Sequence, residues 1–337
     1  MIGAQQGAHD SERGVKKAAR IAVIVNHHED MWDRNLISNV KKLIASSKCF
    51  AEKPQFDIYS PNNNPSFMRS DIAWKLTKMQ DKIDLIITSG PWISVAIMAT
   101  QRHWRRAVPH IFVGVDDPTG WGLTDNDYYS ENGVTGIKTL SPRLQNHLKA
   151  MSNLRPNARR AVIFYNGDLD KMSETSFLQH SGVRGKLSGM MRSAGWSVEM
   201  VGLRFNSDVE DEVFSKLIKA DVAVMLNEST VMMHQEKLHE LCTQARTTLV
   251  GLNVLSVIKG AAFGTGSSGA DCAPLLVKQI RQILVEKRDP SDVEIVGFQE
   301  PDRVWYNPLE IENQGVYLKS DDTRLRSLHS VLSGEVL

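Results

Sequence analysis

Two stretches of this sequence have the residue types of a reactive centre. Gly264, Thr265, Gly266, Ser267, Ser268 and Gly269 spell GxGxxG, the spacing that lets a glycine turn and the helix start behind it hold a dinucleotide pyrophosphate. That chemistry also needs a full strand before the turn and an acidic residue about twenty residues on to hold a ribose. Only Ala261, Ala262 and Phe263 precede the motif, so it reads as a glycine-rich turn feeding a helix near a cleft. His27, His28, Glu29 and Asp30 carry metal-ligand side chains, yet neighbours on an extended loop point apart and no second group joins them at ligand spacing. They read as a polar loop at a cleft mouth, where His27 can meet a ligand. His234, His239 and Cys242 are stepped by five and then three residues, which turns them to different faces of one helix.

Nucleophilic chemistry finds little support. There is no GxSxG elbow, and Ser94 and Ser229 follow strands without a recognisable base. Asp116 and Asp117 form a carboxylate pair, but Asp117 precedes Pro118 as turn residues do. No catalytic residue, metal ligand or cofactor is therefore expected. What remains is a set of groups suited to binding: Ser89, Ser94, Asp117, Tyr165 and Asn166, then Asn227, Ser229, Thr230 and Asn253. Backbone amides at helix starts near Ser94 and Thr230 suit an anionic group such as a carboxylate. Trp92, Trp121 and Tyr165 can stack on an apolar or aromatic body, and each tryptophan reads equally well as a packing residue.

These residues fall at the ends of apolar runs. Strand patterns cover 21–25, 55–59, 85–88, 110–113, 134–137, 161–165, 197–202, 222–226, 247–251 and 294–297. Helix-length amphipathic segments lie between them, among them 34–45, 66–79, 144–151, 183–194, 211–220, 231–245 and 274–286. Strand, helix and strand repeated this often predict parallel sheets covered on both faces, an α/β chain. The pattern runs as two similar series, one before about residue 138 and one after it. Two doubly wound, Rossmann-like sheets side by side leave a cleft, and open α/β sheets bind ligands beyond the carboxyl ends of their strands.

Composition agrees with two such domains. The chain has 337 residues, of which 42% are hydrophobic and 23% charged, enough apolar material for two cores and too much for a disordered chain. Forty basic against 39 acidic side chains give a net charge of +1, which removes any general attraction to nucleic acid or anionic lipid. No apolar run approaches the roughly eighteen residues that cross a bilayer, so membrane insertion is not expected. Cys49, Cys242 and Cys272 are odd in number and form no CxxC, which predicts thiols rather than a disulfide framework. The first twenty residues lack an apolar core and read as a polar leader rather than an export signal.

Several stretches, in order and at matching spacing, resemble the periplasmic solute-binding proteins of ABC importers, in particular the family with tryptophan- and tyrosine-type binding proteins. They are Asp84, Leu85, Ile86 and Ile87 leading to Ser89-Gly90-Pro91, and Val108, Pro109, His110, Ile111 and Phe112 leading to Asp117, Pro118, Gly122 and Leu123. Asn132, Gly133, Val134, Thr135 and Gly136 resemble the family's crossover, and Leu154, Arg155, Pro156, Asn157 and Ala158 with Tyr165 and Asn166 resemble the start of its second lobe. The resemblance spans Ile21 to about Leu318.

It implies a type I periplasmic-binding-protein fold with a three-strand hinge crossed near Gly136, Leu255 and Pro290. The first lobe would then be 20–137 with 256–289, the second 138–255 with 290–319, and 1–19 and 320–337 polar tails. It also implies a non-enzymatic, extracytoplasmic protein that closes on a small organic ligand, with amino acids and aromatic acids as candidate classes, and docks on an ABC permease and its ATPase. Two features depart from the family pattern. Ser267, Ser268, Gly269 and Ala270 stand where an aromatic pair is usual, and Trp92 is bulky where smaller residues are common. The sequence as given shows no signal or lipobox, so a cytoplasmic location stays open, and a ligand-sensing domain of the same fold acting through a signalling partner is the alternative role. A two-domain nucleotide-using enzyme is the further alternative.

Overall fold

The computed structural model describes residues 18–25, 31–61, 71–115, 117–138, 144–167, 183–204, 210–265, 269–297, 304–314, 316 and 325–327. The first sheet contains β1 (Arg20–Ile24), β2 (Gln55–Tyr59), β3 (Leu85–Ser89), β4 (His110–Val113), β5 (Val134–Lys138) and the short β11 (Val296–Gly297). Its strand order is β11-β5-β4-β3-β1-β2, with every pair parallel. The helices α1 (Met31–Ser46), α2 (Ala73–Met79), α3 (Pro91–Gln101) and α10 (Gly269–Leu284) flank it.

The second sheet contains β6 (Arg160–Asn166), β7 (Ser197–Leu203), β8 (Val222–Met225), β9 (Thr248–Gly251), β10 (Phe263–Thr265), β12 (Val304–Tyr306) and β13 (Leu325–Ser327), in the order β13-β12-β10-β9-β8-β6-β7. Only the β10–β12 pair is antiparallel. Its helices are α4 (Leu144–Leu154), α5 (Val183–Ser193), α6 (Glu210–Leu217), α7 (Ser229–Met233), α8 (Gln235–Ala245), α9 (Val254–Ile258) and α11 (Pro308–Asn313).

Alternation along each strand explains why both sheet faces are covered. On β1, Ile21 and Val23 pack with Leu36, Val40, Leu276 and Ile280 of α1 and α10. Ala22 and Ile24 turn to the other face, against Leu76, Ile93 and Ile97. In the second sheet, Ile163 and Val224 meet Leu187 and Met191, while Val162 and Phe164 meet Val213 and Leu238. Each fully buried aliphatic side chain contributes roughly 1.5–3 kcal/mol, so the four layers hold each sheet between helices.

The ten expected strands coincide with strands within one or two residues, and the α/β class with two parallel-dominated sheets is the observed one. The three-residue strands β10, β12 and β13 are too short to show a period in the sequence. The expected helix over 231–245 is interrupted at His234, and only the part of 66–79 from residue 71 onward lies among the described residues.

Two of the three crossings between sheets fall elsewhere than expected. Residues 256–265 stay with the second sheet, because β10 pairs with β9 and β12. Residues 290–297 stay with the first, where β11 pairs with β5, Thr135 donates to Val293 O at 2.8 Å, and Gln279 donates to both Gly136 O and Glu294 O at 3.0 Å. The chain therefore passes between sheets after Lys138, close to the expected Gly136, and then after Thr265 and after Gly297, rather than near Leu255 and Pro290. His147 of α4 joins the first two passages, with Nδ1 2.5 Å from Thr265 Oγ1.

The GxGxxG motif straddles the second passage. Gly264 is in β10, residues 266–268 lie outside the described residues, and Gly269 opens α10. A Cβ at Gly269 would stand 2.3 Å from Trp32 O and 2.7 Å from Leu36 N. This glycine is therefore needed for the close contact of α10 with α1, a packing role. Gly269→Ala is expected to lower stability by about 1–3 kcal/mol through overpacking, read as the shift in urea unfolding midpoint.

Burial pushes the imidazoles of His110 and His147 down to about 3. A group depressed on folding stabilises the native state fully above its unfolded value near 6.5 and loses that contribution as the pH falls toward 3. Unfolding free energy should therefore drop between pH 6.5 and 4, by up to about 1.4 kcal/mol per pH unit per histidine. The slope should be shallower in His147→Gln, and an equal slope in the variant would assign the loss to other groups.

Candidate functional site

In both sheets the strand order reverses beside the first strand, between β1 and β3 in one and between β6 and β8 in the other. At such a point, neighbouring crossovers go to opposite faces and leave a crevice at the carboxyl ends. The two crevices face one cavity of about 70 Å³. From the first sheet its lining includes Trp32 and Asp33 after β1, Ser89 through Trp92 after β3, and Gly114 and Trp121 after β4. From the second it includes Asn166 at the end of β6, Asn227, Glu228 and Met232 after β8, and Asn253 and Leu255 after β9.

The turn after β3 is fixed from below. Gly90 has φ 85°, a conformation in which a side chain would be strained. Pro91 then opens α3 at a position where its missing N–H costs nothing. Ser94, fully buried, donates to Gly90 O at 2.7 Å and lies 2.7 Å from Thr88 Oγ1, which in turn lies 2.8 Å from His110 Nε2. Ser89 donates its hydroxyl to the Asp33 carboxylate, whose residue is only 2% exposed. This positions Asp33, on the first turn of α1, against the β3 turn.

On the opposite wall, Asn253 donates to Asn227 Oδ1 at 2.6 Å and accepts from Ser256 N at 2.8 Å, capping α9. Glu228 caps α7 with extended backbone and accepts the backbone N–H of Asn166. The three asparagines and Glu228 thus form one connected polar wall, held from three different strand ends.

Of the residues singled out from sequence, Ser89, Trp92, Trp121, Asn166, Asn227 and Asn253 meet in this cavity. Trp92 also packs on the core beneath α3, so it lines and packs at once. Ser94 is a support under the Gly90 turn rather than a lining group. Tyr165 packs on the second sheet's core with the Arg184 guanidinium 4.3 Å from its ring centre. Thr230 is buried in α7 and absent from the described lining, while Ser229 opens that helix. Asp117 is absent from the described lining. His27 lies outside the described residues.

Trp32, Asp33 and Glu228 were not selected from the sequence. Glu228 stands between two chosen residues, and an acid beside a helix start was itself a signal. Trp32 and Asp33 precede the expected start of the first helix at Arg34. Beside the helix starts near Ser94 and Thr230, where an anion site was expected, stand the acids Asp33, bonded to Ser89, and Glu228, bonded to the Asn166 N–H; neither caps its helix with its side chain.

The model of the family described as ABC transporter substrate binding protein matches residues 57–322. No curated protein matches. Among solved structures, a conserved domain protein from Vibrio cholerae is similar at 19% identity and a TM-score of 0.75, covering 92% of this chain and 99% of that one. An ABC domain from Streptococcus pneumoniae in complex with L-Trp has 15% identity and a TM-score of 0.73, covering 90% and 97%. A ligand-free, open substrate-binding protein with adhesive properties from Clostridium difficile has 17% identity and a TM-score of 0.65, covering 92% and 99%. At these identities the likeness is one of fold.

Asp117 does something other than line the cavity. Its carboxylate accepts from Gly120 N at 3.1 Å and pairs across the cleft with Lys186 Nζ of α5 at 3.0 Å. Asp117 is 3% exposed and the lysine side chain 50%, so loss of the lysine strands a buried carboxylate. Lys186→Met is expected to let the ligand-free protein open, seen as a larger radius of gyration in small-angle scattering. An unchanged radius would mean that the pair does not hold the two halves together.

Proposed function

The chain belongs to the ABC transporter substrate binding protein family, and from that premise we propose that it captures a small organic solute in the cavity between its two sheets and delivers it to an ABC permease. A role in solute binding follows from the family itself; the site and the delivery are our reading. The observation that carries it is a cavity lined from both sheets, at the crevice of each, by indoles, carboxamides and carboxylates. A ligand that touches both walls favours the closed arrangement by those contacts.

On this reading the moving units are 20–138 with 269–297 and 144–265 with 304–316. The three passages after Lys138, Thr265 and Gly297 are the hinge. Among the described residues no helix is long and apolar enough to cross a membrane, and the extracytoplasmic role of the family supports reading this chain as working outside the cytoplasm. Nothing in the reading calls for bond-making chemistry. The structural neighbour bound to L-Trp brings amino acids into the set of ligands worth testing.

A thermal-shift screen across amines, amino acids, aromatic acids, sugars and nucleotides comes first, since a ligand at a hundred times its dissociation constant stabilises by about 2.7 kcal/mol. For any hit, Asn227→Ala is expected to weaken binding at least about tenfold, the loss of one or two hydrogen bonds to a polar ligand group, while the unfolding midpoint of the free protein stays within a few degrees. Undiminished affinity in that variant would place the solute elsewhere. A shift with nucleotides alone would turn the reading toward an enzyme.

A further inference from the structure

We propose that the solvent face of α2 and the loop after α3 form a docking surface for an anionic lipid bilayer. The residues that build it have no part in the cavity, so the inference stands apart from the solute reading. Lys75, Lys78 and Lys82 are spaced by three and four residues along α2 and the helical turn Gln80–Lys82, which brings them to one face. The loop 102–106 joins them. Trp104 donates its indole N–H to Thr77 Oγ1 at 2.8 Å, and Arg105 donates its backbone N–H to Gln80 Oε1 at 2.9 Å. That seam sets Arg102, His103, Arg105 and Arg106 beside the three lysines, and all seven residues are exposed. Among the described residues none of the seven is in an ion pair. Over residues 71–84 and 101–106, six Lys and Arg stand against three acids, Asp71, Asp81 and Asp84, a larger positive excess than the +1 of the whole chain. A near-neutral chain thus carries a cationic corner that its net charge conceals.

Within this corner stands Trp74, 55% exposed, with Lys78 Nζ 3.8 Å from its ring centre. An indole left in water gives up the contribution its burial would make. It suits the boundary between headgroups and acyl chains, where the apolar body is covered and the N–H stays wet. Lysines and arginines around such an indole are the combination that holds proteins on anionic membrane surfaces. None of these residues lines a described cavity, which favours a surface over an enclosed molecule as the partner. An ABC transporter sits in a membrane, so a bilayer is within reach of a member of its substrate-binding family. The loop 102–106 precedes β4 and Lys82 precedes β3, at the amino ends of these strands, whereas the cavity lies beyond the carboxyl ends. Lipid contact therefore leaves the cavity open to solute.

The test is co-sedimentation of the full chain with vesicles of phosphatidylcholine alone and of phosphatidylcholine with about one third phosphatidylglycerol, in about 0.1 M salt, where charge acts over about 10 Å. Binding is expected to the anionic vesicles only, and is expected to be lost in about 1 M salt, where that reach falls to about 3 Å. Each Lys or Arg near an anionic surface contributes about fivefold to partitioning, so Lys75→Glu combined with Arg105→Glu is expected to weaken binding at least about tenfold. Trp74→Ala should weaken it severalfold at unchanged charge. Lys42→Glu combined with Lys278→Glu is the control. Both residues are exposed, on α1 and α10, which cover the opposite face of the sheet, and the same change in net charge there should leave binding within about twofold. Circular dichroism confirms that each variant folds. Equal binding to neutral vesicles, or none to either kind, would overturn the inference, as would a control that loses as much binding as the α2 and loop variant. Tighter binding to a short DNA duplex, weakened by Lys75→Glu with Arg105→Glu, would give the surface to nucleic acid and remove the bilayer from the account.

Discussion

A parallel strand cannot reach its neighbour through a tight turn. The chain must cross the sheet face, and each crossover leaves from a carboxyl end. Every other feature of this protein follows from that constraint being met twice, in two sheets whose carboxyl ends face one another. The residues after β1, β3 and β4 come to one wall of a cavity and those after β6, β8 and β9 to the other. Polar groups are carried there on short segments leaving buried strands, so their positions are set by core packing rather than by loop conformation.

Support beneath the cavity differs between the walls. Under the β3 turn, the His110, Thr88 and Ser94 side chains run as a buried chain of hydrogen bonds to Gly90 O. Such a network is strong only when closed off from water, and the cost is a histidine held neutral by burial. On the other wall the lining residues support one another: Asn253 holds Asn227, and Glu228 holds the backbone of Asn166. One wall is therefore rigid from below, and the other is rigid through mutual contacts among groups that a solute would also touch.

Between the walls, the passages of chain are tied into the sheets close to where they leave. His147 joins the start of α4 to the end of β10, and Gln279 with Thr135 binds the 293–295 segment to β5. Any rotation of one sheet against the other is thereby confined to a few residues at each passage. The pairing of Asp117 with Lys186 is a separate, side-chain link across the cleft. It explains why an aspartate at a strand end, chosen from sequence as a ligand contact, is engaged with the facing sheet instead.

Local sequence determined ten of the strands, most of the longer helices and the α/β class, because strand burial imposes its own pattern of apolar runs on the chain. It also placed Ser89, Trp92, Asn166, Asn227 and Asn253 near the site, since position just beyond a strand is a property of the sequence alone. It did not decide the later two sheet changes: β10 is too short to carry a period, and the sheet to which β10 and β11 belong depends on partners more than ten residues away. Nor did it separate Ser94, which points under the turn, from Trp92, which points over it, two residues apart on one helix. That Asp33 and Glu228 meet in one cavity, from positions 195 residues apart, was settled only by the packing of the two sheets, because the charge of a cavity belongs to the fold and not to any one stretch of chain.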